Sequence, residues 1–221
     1  MEYISIAIDG PAGAGKSTIA KAVAKALGIV YVDTGAMYRA VALYCIEHEI
    51  VERSQIEKIM DQIQIELIYE KEMQRIFLNN EDVTHKIRTP EVSKMASYVA
   101  TFPSIRTQLV ESQRKIAQNQ SVVMDGRDIG THVLPEAKVK IFLTATSVER
   151  AQRRYIEMKK KGISCALSEI QAEIEKRDEQ DMNRSFAPLK KAKDAIEVDT
   201  TGYTIEEVVE KILKIIQQRS I

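Results

Sequence analysis

A glycine-rich stretch near the N-terminus constrains this chain more than any other feature. Residues 10–18 read Gly-Pro-Ala-Gly-Ala-Gly-Lys-Ser-Thr and satisfy the pattern Gly-x4-Gly-Lys-Ser/Thr. The apolar run at 3–8 is typical of a buried parallel strand, and the run at 19–27 repeats apolar residues at helical spacing before Gly28. Strand, glycine-rich loop and helix in this order predict a parallel α/β fold that begins with a phosphate-binding loop, or P-loop.

The residue types in the P-loop suit a nucleoside triphosphate bound with Mg²⁺. Its glycines let successive backbone N–H groups point inward at a helix N-terminus, where anions are stabilised. Lys16 is placed to reach the terminal phosphates, and the Ser17 hydroxyl is a Mg²⁺ ligand. A glycine-rich turn that fits the pattern by chance is the alternative. The predicted nucleotide-binding residues are Gly10, Pro11, Ala12, Gly13, Ala14, Gly15, Lys16, Ser17 and Thr18.

The composition excludes several classes of protein. With 221 residues, the chain is long enough for one domain or for one domain with an insertion. The formal net charge of +0 and the aromatic content of 5% argue against nucleic acid or an anionic membrane as a partner. Cys45 and Cys165 lie too far apart for a metal or redox motif, and no apolar run reaches the length of a membrane span. We expect a cytoplasmic protein and, since no coiled-coil pattern is present, a monomer.

Strands and helices continue to alternate in the rest of the chain. Apolar runs at 29–32, 122–124, 139–143 and 195–199 indicate further buried strands, with helical patterns between most of them. Together with the first strand they predict a five-stranded parallel sheet with helices on both faces.

One region departs from that alternation. Polar and apolar residues alternate at 64–69 and again at 74–78, which predicts antiparallel strands with one solvated face. A parallel core should not contain such strands. We therefore assign residues 64–103 to an inserted subdomain, between core segments 1–63 and 104–221.

Arginines follow a predicted strand end and recur in the segment at 150–184. Arg39 lies in the helix that follows the polar residues at 33–35, and a phosphate ligand and a solvated surface charge are equally consistent with it. The segment at 150–184 holds two charged helices that join at Gly162 and carry spaced arginines. A lid that closes over phosphates and a solvated charged face are equally favoured there.

A buried strand leads into a charged turn at Asp125. This is the position of the carboxylate that holds Mg²⁺, directly or through water, in P-loop proteins. Arg127 and Asp128 come next and are candidates for substrate contacts, with a hydrophilic turn as the alternative. Arg106 stands in the first turn of a helix predicted at 104–119, where a cation opposes the helix dipole unless an anion meets it.

Four sequence blocks occur in an order that identifies a family. They are residues 8–18, which hold the P-loop, 33–39 (Asp-Thr-Gly-Ala-Met-Tyr-Arg), 125–131 (Asp-Gly-Arg-Asp-Ile-Gly-Thr) and 177–184 (Arg-Asp-Glu-Gln-Asp-Met-Asn-Arg). From end to end, the chain resembles the bacterial cytidylate kinases. The resemblance implies a P-loop kinase fold that transfers the γ-phosphoryl group of ATP to CMP or dCMP, with an insert that binds the nucleoside monophosphate and a helical lid.

The resemblance also implies roles for individual residues. Thr34 and Arg39 would contact the acceptor phosphate, and Asp181 would bind the sugar hydroxyls. A carboxylate that accepts from the cytosine amino group, beside an arginine, distinguishes cytosine from uracil. The residues implied at the cytosine edge are Ser97, Arg106 and Asp128, and those implied around the transferred phosphate are Lys16, Arg127, Arg154, Arg177 and Arg184, with Arg153 on ATP.

Two other functions remain open from the residues alone. A P-loop kinase for UMP, AMP, shikimate or dephospho-coenzyme A shares the motif at 10–18, and so does an ATPase or switch without an acceptor. The arginines of 150–184 and the lack of a water-positioning glutamine motif disfavour the ATPase.

Overall fold

The computed structural model of the chain describes residues 3–70, 73–160 and 162–219. Its strands are β1 (Ser5–Asp9), β2 (Val30–Asp33), β3 (Ile65–Glu70), β4 (Met73–Leu78), β5 (Glu81–Asp82), β6 (Val122–Gly126), β7 (Val139–Thr144) and β8 (Ile196–Asp199). Its α-helices are α1 (Lys16–Leu27), α2 (Thr34–Glu47), α3 (Arg53–Ile56), α4 (Pro90–Val99), α5 (Pro103–Asn119), α6 (Ser147–Lys160), α7 (Leu167–Asn183) and α8 (Ile205–Arg219). A π-helical turn spans Ile129–Val133.

The main sheet has five parallel strands in the order β2-β6-β1-β7-β8. The predicted five-stranded parallel sheet is therefore confirmed. Its register pairs Ile8 of β1 with Asp125 of β6, and Asp125 with Asp33 of β2. Asp33, the last residue of β2, and Asp125, the last but one of β6, thus lie at the same end of neighbouring strands. Open parallel sheets bind ligands at the edge formed by the carboxyl ends of their strands.

Apolar side chains fill both faces of this sheet. Ile6 and Ile8 of β1 belong to one hydrophobic cluster with Val23 of α1 and Ile212 of α8. Ala7, which points the other way along the same strand, belongs to the cluster on the opposite face. Because both faces of β1 are apolar, helices must cover the sheet on both sides, and the P-loop follows a strand that is buried on both faces.

A second sheet, antiparallel and in the order β3-β4-β5, lies within the predicted insert. The turn after β4 holds Asn79 and Asn80 at φ values of 48° and 68°, a left-handed conformation that asparagine tolerates better than most residues. Ile76 of β4 shares a hydrophobic cluster with Met37 of α2 and Val99 of α4. The insert therefore packs on a helix that starts at the end of β2, and its assignment to residues 64–103 stays a prediction.

The helices α6 and α7 pack against each other through a small apolar cluster that includes Ala151, Ile170 and Ile174. The segment between them contains Gly162, whose φ of 71° is readily adopted by glycine. The predicted lid at residues 150–184 falls on this helix pair. In the described ranges of the chain, no helix is both long enough and apolar enough to cross a membrane.

Candidate active site

The P-loop backbone curls between β1 and α1. Gly10, Gly13 and Gly15 have φ values of 150°, 76° and 84°, which cost glycine little and other residues much. A Cβ on Gly10 would lie 2.1 Å from the carbonyl oxygen of Leu143, so a larger residue does not fit there. Ser17 and Thr18 stand exposed in the first turn of α1. The positive end of the helix dipole therefore opens beside the loop, as anion binding requires.

Lys16 is buried against the inside of the P-loop. Its Nζ donates a hydrogen bond of 2.7 Å to the carbonyl oxygen of Pro11. Burial, followed by the charge of Arg127, holds the pKa of Lys16 well below its usual range. A bound phosphate supplies negative charge that offsets both effects, so the position favours an anionic ligand.

Asp125, the last residue but one of β6, lies beside the P-loop and accepts hydrogen bonds from two hydroxyl groups. Ser17 Oγ donates to its Oδ2 at 2.9 Å, and Tyr31 OH donates to its Oδ1 at 2.8 Å. Burial, followed by the charge of Asp33, raises the pKa of Asp125. A cation beside the pair would favour the charged carboxylate, and a hydroxyl with a carboxylate is a donor set that Mg²⁺ accepts. The residues present therefore fit Mg²⁺ held together with substrate phosphates.

Asp33, at the end of β2, accepts hydrogen bonds from two arginines. Arg39 and Arg88 each donate to its Oδ2, at 2.8 and 2.9 Å, while its Oδ1 caps α2 by accepting from the Ala36 N–H at 2.9 Å. Burial alone would raise the pKa of Asp33, but the charges of Arg39 and Arg88 outweigh it and lower that pKa. Next to this group, Thr34 Oγ1 donates to the carbonyl oxygen of Asp125 at 2.7 Å. The structure thus brings Thr34 and Arg39 to the sheet edge.

Asp128 is buried and binds two arginines. Arg106 donates to its Oδ2 at 2.6 Å and Arg184 to its Oδ1 at 3.2 Å. These arginines come from α5 and from the residue after α7, so one carboxylate joins segments that are far apart in sequence. Arg106 is only 2% exposed. The unusual position of a cation at the start of α5 is thus explained by a carboxylate, because Asp128 supplies the anion.

Asp181 forms a second carboxylate centre on α7. Arg127 Nε donates to its Oδ2 at 2.8 Å, and Arg184 NH1 lies 3.6 Å from its Oδ1. Arg177 lies in the same group of charges: burial and then the charge of Arg127 lower its pKa to about 10. Three of the arginines predicted around the transferred phosphate therefore lie together, next to Asp181.

Several site residues carry a buried polar atom with no hydrogen-bond partner among the described residues. Buried polar atoms are normally hydrogen-bonded, so donors left without a partner mark atoms that are available to a ligand. The predicted site residues concerned contribute Arg39 Nε, Ser97 Oγ, Arg106 Nε and Arg177 Nε. All four atoms can donate a hydrogen bond, which suits the oxygens of a phosphorylated ligand.

Two predicted arginines of α6 lie apart from this cluster. Arg153 donates to the Oγ1 and to the carbonyl oxygen of Thr200, at 3.0 and 2.8 Å, on the side of the P-loop where β8 ends. Arg154 forms an ion pair of 2.9 Å with Glu157 on its own helix, and its side chain is 37% exposed. The structure does not bring Arg154 to the arginines around Asp181.

Other charged residues of the site were not predicted from the sequence. Asp9 accepts the backbone N–H groups of Ile129 and Gly130 at 2.8 and 2.7 Å, and burial raises its pKa to about 6. Because Asp9 precedes Gly10 at the end of a predicted strand, its position could have indicated a place in the site. Arg88, which binds Asp33, could not have been found in this way, since nothing in the local sequence distinguishes it from a surface arginine. The buried ion pair of Arg150 and Asp178 beside the P-loop was not predicted either.

Solved structures with a similar fold cover almost the whole chain. An uncharacterized protein from Eubacterium ventriosum superposes with a TM-score of 0.54 at 18% identity, over 98% of this chain and 99% of its own. A shikimate kinase from Acinetobacter baumannii superposes with a TM-score of 0.50 at 13% identity, over 98% and 94%. At these identities the likeness shows the fold alone.

Sequence relatives are much closer. The cytidylate kinase of Oceanobacillus iheyensis is 53% identical over 96% of this chain and 93% of its own length. That of Halalkalibacterium halodurans is 49% identical over 99% of this chain and 100% of its own. The profile of the family described as cytidylate kinase matches residues 6–218. This chain therefore belongs to the cytidylate kinase family.

Proposed function

We propose that this protein transfers the γ-phosphoryl group of Mg²⁺-ATP to CMP and dCMP, giving CDP and dCDP. The observation that carries the proposal is one edge of the main sheet, where the P-loop and the Asp128–Arg106 pair lie together. The P-loop suits the phosphates of ATP, and the Asp128–Arg106 pair suits a base that carries an amino group. Family membership supports the same reaction.

On the donor side, residues 10–18 hold the phosphates of ATP through backbone N–H groups and Lys16. Ser17 and Asp125 would hold Mg²⁺, with Asp125 acting directly or through water. The bound ion would supply positive charge to the phosphates of ATP. Arg153, which is anchored to Thr200 at the end of β8, contacts the rest of the ATP molecule.

On the acceptor side, Asp128 accepts a hydrogen bond from the N4 amino group of cytosine. Ser97 Oγ and Arg106 Nε, both buried and unbonded within the described residues, donate to the ring acceptors. Uracil presents a carbonyl oxygen in place of the amino group, and that oxygen would face the Asp128 carboxylate. The repulsion between them disfavours UMP.

The remaining groups bind the acceptor's sugar and phosphate. Thr34 and Arg39 hold the phosphate at the end of β2, with Arg39 Nε free to donate. Asp181 binds the sugar hydroxyls while it remains paired with Arg127. Because a deoxyribose still offers its 3′-hydroxyl, this arrangement accepts both CMP and dCMP.

Positive charge around the transferred group is the main catalytic contribution of the chain. Lys16, Arg127, Arg177 and Arg184 neutralise the charge that spreads over the phosphoryl oxygens in a loose in-line transition state. The acceptor phosphate is already an anionic nucleophile, so no side-chain base is required. Residues 150–184 act as a lid that excludes water, and we propose that Arg154 reaches the phosphates only after it leaves Glu157.

The test is ADP release, measured in a coupled assay with Mg²⁺-ATP and CMP, dCMP, UMP or AMP as separate acceptors. We expect strong turnover with CMP and dCMP and far less with UMP and AMP. Preference for another acceptor would assign the chain a different substrate. Steady phosphate release without any acceptor would make it an ATPase. The zero formal net charge disfavours nucleic-acid and membrane partners. We also propose a monomer, because no coiled-coil pattern is present, and a cytoplasmic location; gel filtration tests the monomer.

A further inference from the structure

Ala12, in the middle of the P-loop, is held on both sides by side chains from the lid helices. Its backbone N–H donates to Asp178 Oδ1 at 2.8 Å, and its carbonyl oxygen accepts from Arg150 NH1 at 2.7 Å. Arg150 and Asp178 also form an ion pair with each other, and each side chain is 8% exposed. Arg150 belongs to α6 and Asp178 to α7. Two helices of the predicted lid thus share one buried anchor on the P-loop.

The geometry of the peptide bond couples the contact between Asp178 and Ala12 to the position of Lys16. In a trans peptide the N–H and C=O bonds point in opposite directions. Because Asp178 fixes the N–H of Ala12, the carbonyl of Pro11 in the same peptide must point the opposite way. That carbonyl oxygen is the group that accepts from Lys16 Nζ at 2.7 Å. Asp178 therefore sets the direction of the group that holds the Lys16 ammonium.

The same geometry applies to the next peptide. Arg150 fixes the carbonyl of Ala12, so the N–H of Gly13 must point away from Arg150 and into the curl of the loop. The approach is close: a Cβ built on Gly13 would lie 3.2 Å from Arg150 Cβ, and Gly13 has a φ of 76°. Side-chain bulk is thus excluded where the loop and α6 meet.

We propose that Arg150 and Asp178 are positioning residues for the donor phosphates, acting through Ala12 on Lys16 and on the Gly13 N–H. Neither contacts substrate. The proposal rests on the proposed function for its donor, ATP, and goes beyond it by giving a role to a pair that lies outside the phosphate cluster. It also implies that the base of α6 and α7 stays fixed to the P-loop while their far ends move.

Conservative variants test the proposal while keeping side chains of similar size at both positions. Arg150→Lys keeps the charge but loses the planar guanidinium, whose NH1 donates to Ala12 and Asp178 while its Nε donates to the carbonyl oxygen of Ala145. Asp178→Asn keeps an oxygen for the Ala12 N–H but loses the charge that pairs with Arg150. Arg53→Lys and Glu57→Gln alter a matched ion pair of 3.2 Å at the surface and are the controls.

Three measurements separate positioning from a purely structural role: the dissociation constants of ATP and of CMP by calorimetry, the split between kcat and KM for each substrate, and the melting temperature. We expect Arg150→Lys and Asp178→Asn to weaken ATP binding about 10-fold and to lower kcat by a similar factor. The dissociation constant of CMP should change less than about 2-fold. Arg150→Met should lose more ATP affinity than Arg150→Lys.

Two results would overturn the proposal. One is a lowered melting temperature with ATP affinity and kcat unchanged. The other is an equal loss of ATP and CMP affinity. If Asp178→Asn does not fold, the proposal is tested by comparing the ATP affinity and kcat of Arg150→Lys with those of Arg53→Lys. Failure of the proposed function is a separate result, since it would appear as wild-type protein that binds ATP but shows no CMP-stimulated turnover.

Discussion

Replacing Asp128 by asparagine changes the group that faces the predicted cytosine while preserving its shape. The carboxylate is buried and accepts from Arg106 at 2.6 Å and from Arg184 at 3.2 Å. In Asp128→Asn, one oxygen remains to accept, and an NH₂ group replaces the other. The base then meets a neutral amide instead of a carboxylate that two arginines hold in place.

The magnitude follows from the charge of the lost acceptor. A hydrogen bond to a charged group contributes about 1.5–3 kcal/mol, which corresponds to a loss of about 10- to 150-fold in kcat/KM for CMP. UMP should lose less, because the amide NH₂ donates to the carbonyl oxygen of uracil that the carboxylate repels. The ratio of the two kcat/KM values is therefore expected to fall by at least about 10-fold.

The assay is initial-rate ADP release with each acceptor in turn, together with a melting curve. Glu197→Gln, in an ion pair of 2.9 Å with Lys191 at the surface, is the matched carboxylate-to-amide control, and we expect it to match wild type. A folded Asp128→Asn enzyme with an unchanged ratio of CMP to UMP would refute the assignment of this carboxylate to the base.

Other parts of the site give further predictions. Lys16→Met should lower kcat about 10³-fold, with the CMP dissociation constant from calorimetry unchanged; weakened CMP binding would contradict its role at the donor phosphates. Chelation of Mg²⁺ should stop ADP release and added Mg²⁺ restore it, so turnover that persists in chelator would exclude the metal. Burial raises the pKa of Asp9 from 3.8 to about 6, so its stabilising contribution is complete below the unfolded pKa and is lost as the pH rises through the folded pKa. The unfolding free energy of wild type minus that of Asp9→Asn, from denaturant titrations, should fall by about 3 kcal/mol between about pH 3 and 7. A difference that does not vary with pH would show that Asp9 does not titrate in this way.

The fold was largely predictable because its signals are local. A continuous apolar run, glycines with a lysine and then a helical pattern identify β1, the P-loop and α1 without knowledge of the rest of the chain. The order β2-β6-β1-β7-β8 was not predicted, since strand neighbours depend on which helices cover each face. The two-residue strand β5 is too short to show any periodicity.

The site was predictable only in part, because the roles of its arginines depend on distant partners. Arg150 and Arg154 lie four residues apart on α6, and residue type does not distinguish them. One is buried against Asp178, whereas the other is paired with Glu157 at the surface. That difference comes from the packing of α7 and of the P-loop against one side of α6, which the sequence of α6 alone does not show.

The pairing of arginines with carboxylates has a consequence for how nucleotides bind to the site and leave it. Asp33 holds Arg39 and Arg88, and Asp128 holds Arg106 and Arg184. An arriving nucleotide therefore exchanges partners with acidic side chains instead of meeting bare cations, so long-range attraction adds little to its rate of capture. The reverse exchange assists product release. As a nucleoside diphosphate dissociates, the arginines form ion pairs with the carboxylates again, and this offsets the stronger binding that the extra phosphate would otherwise cause.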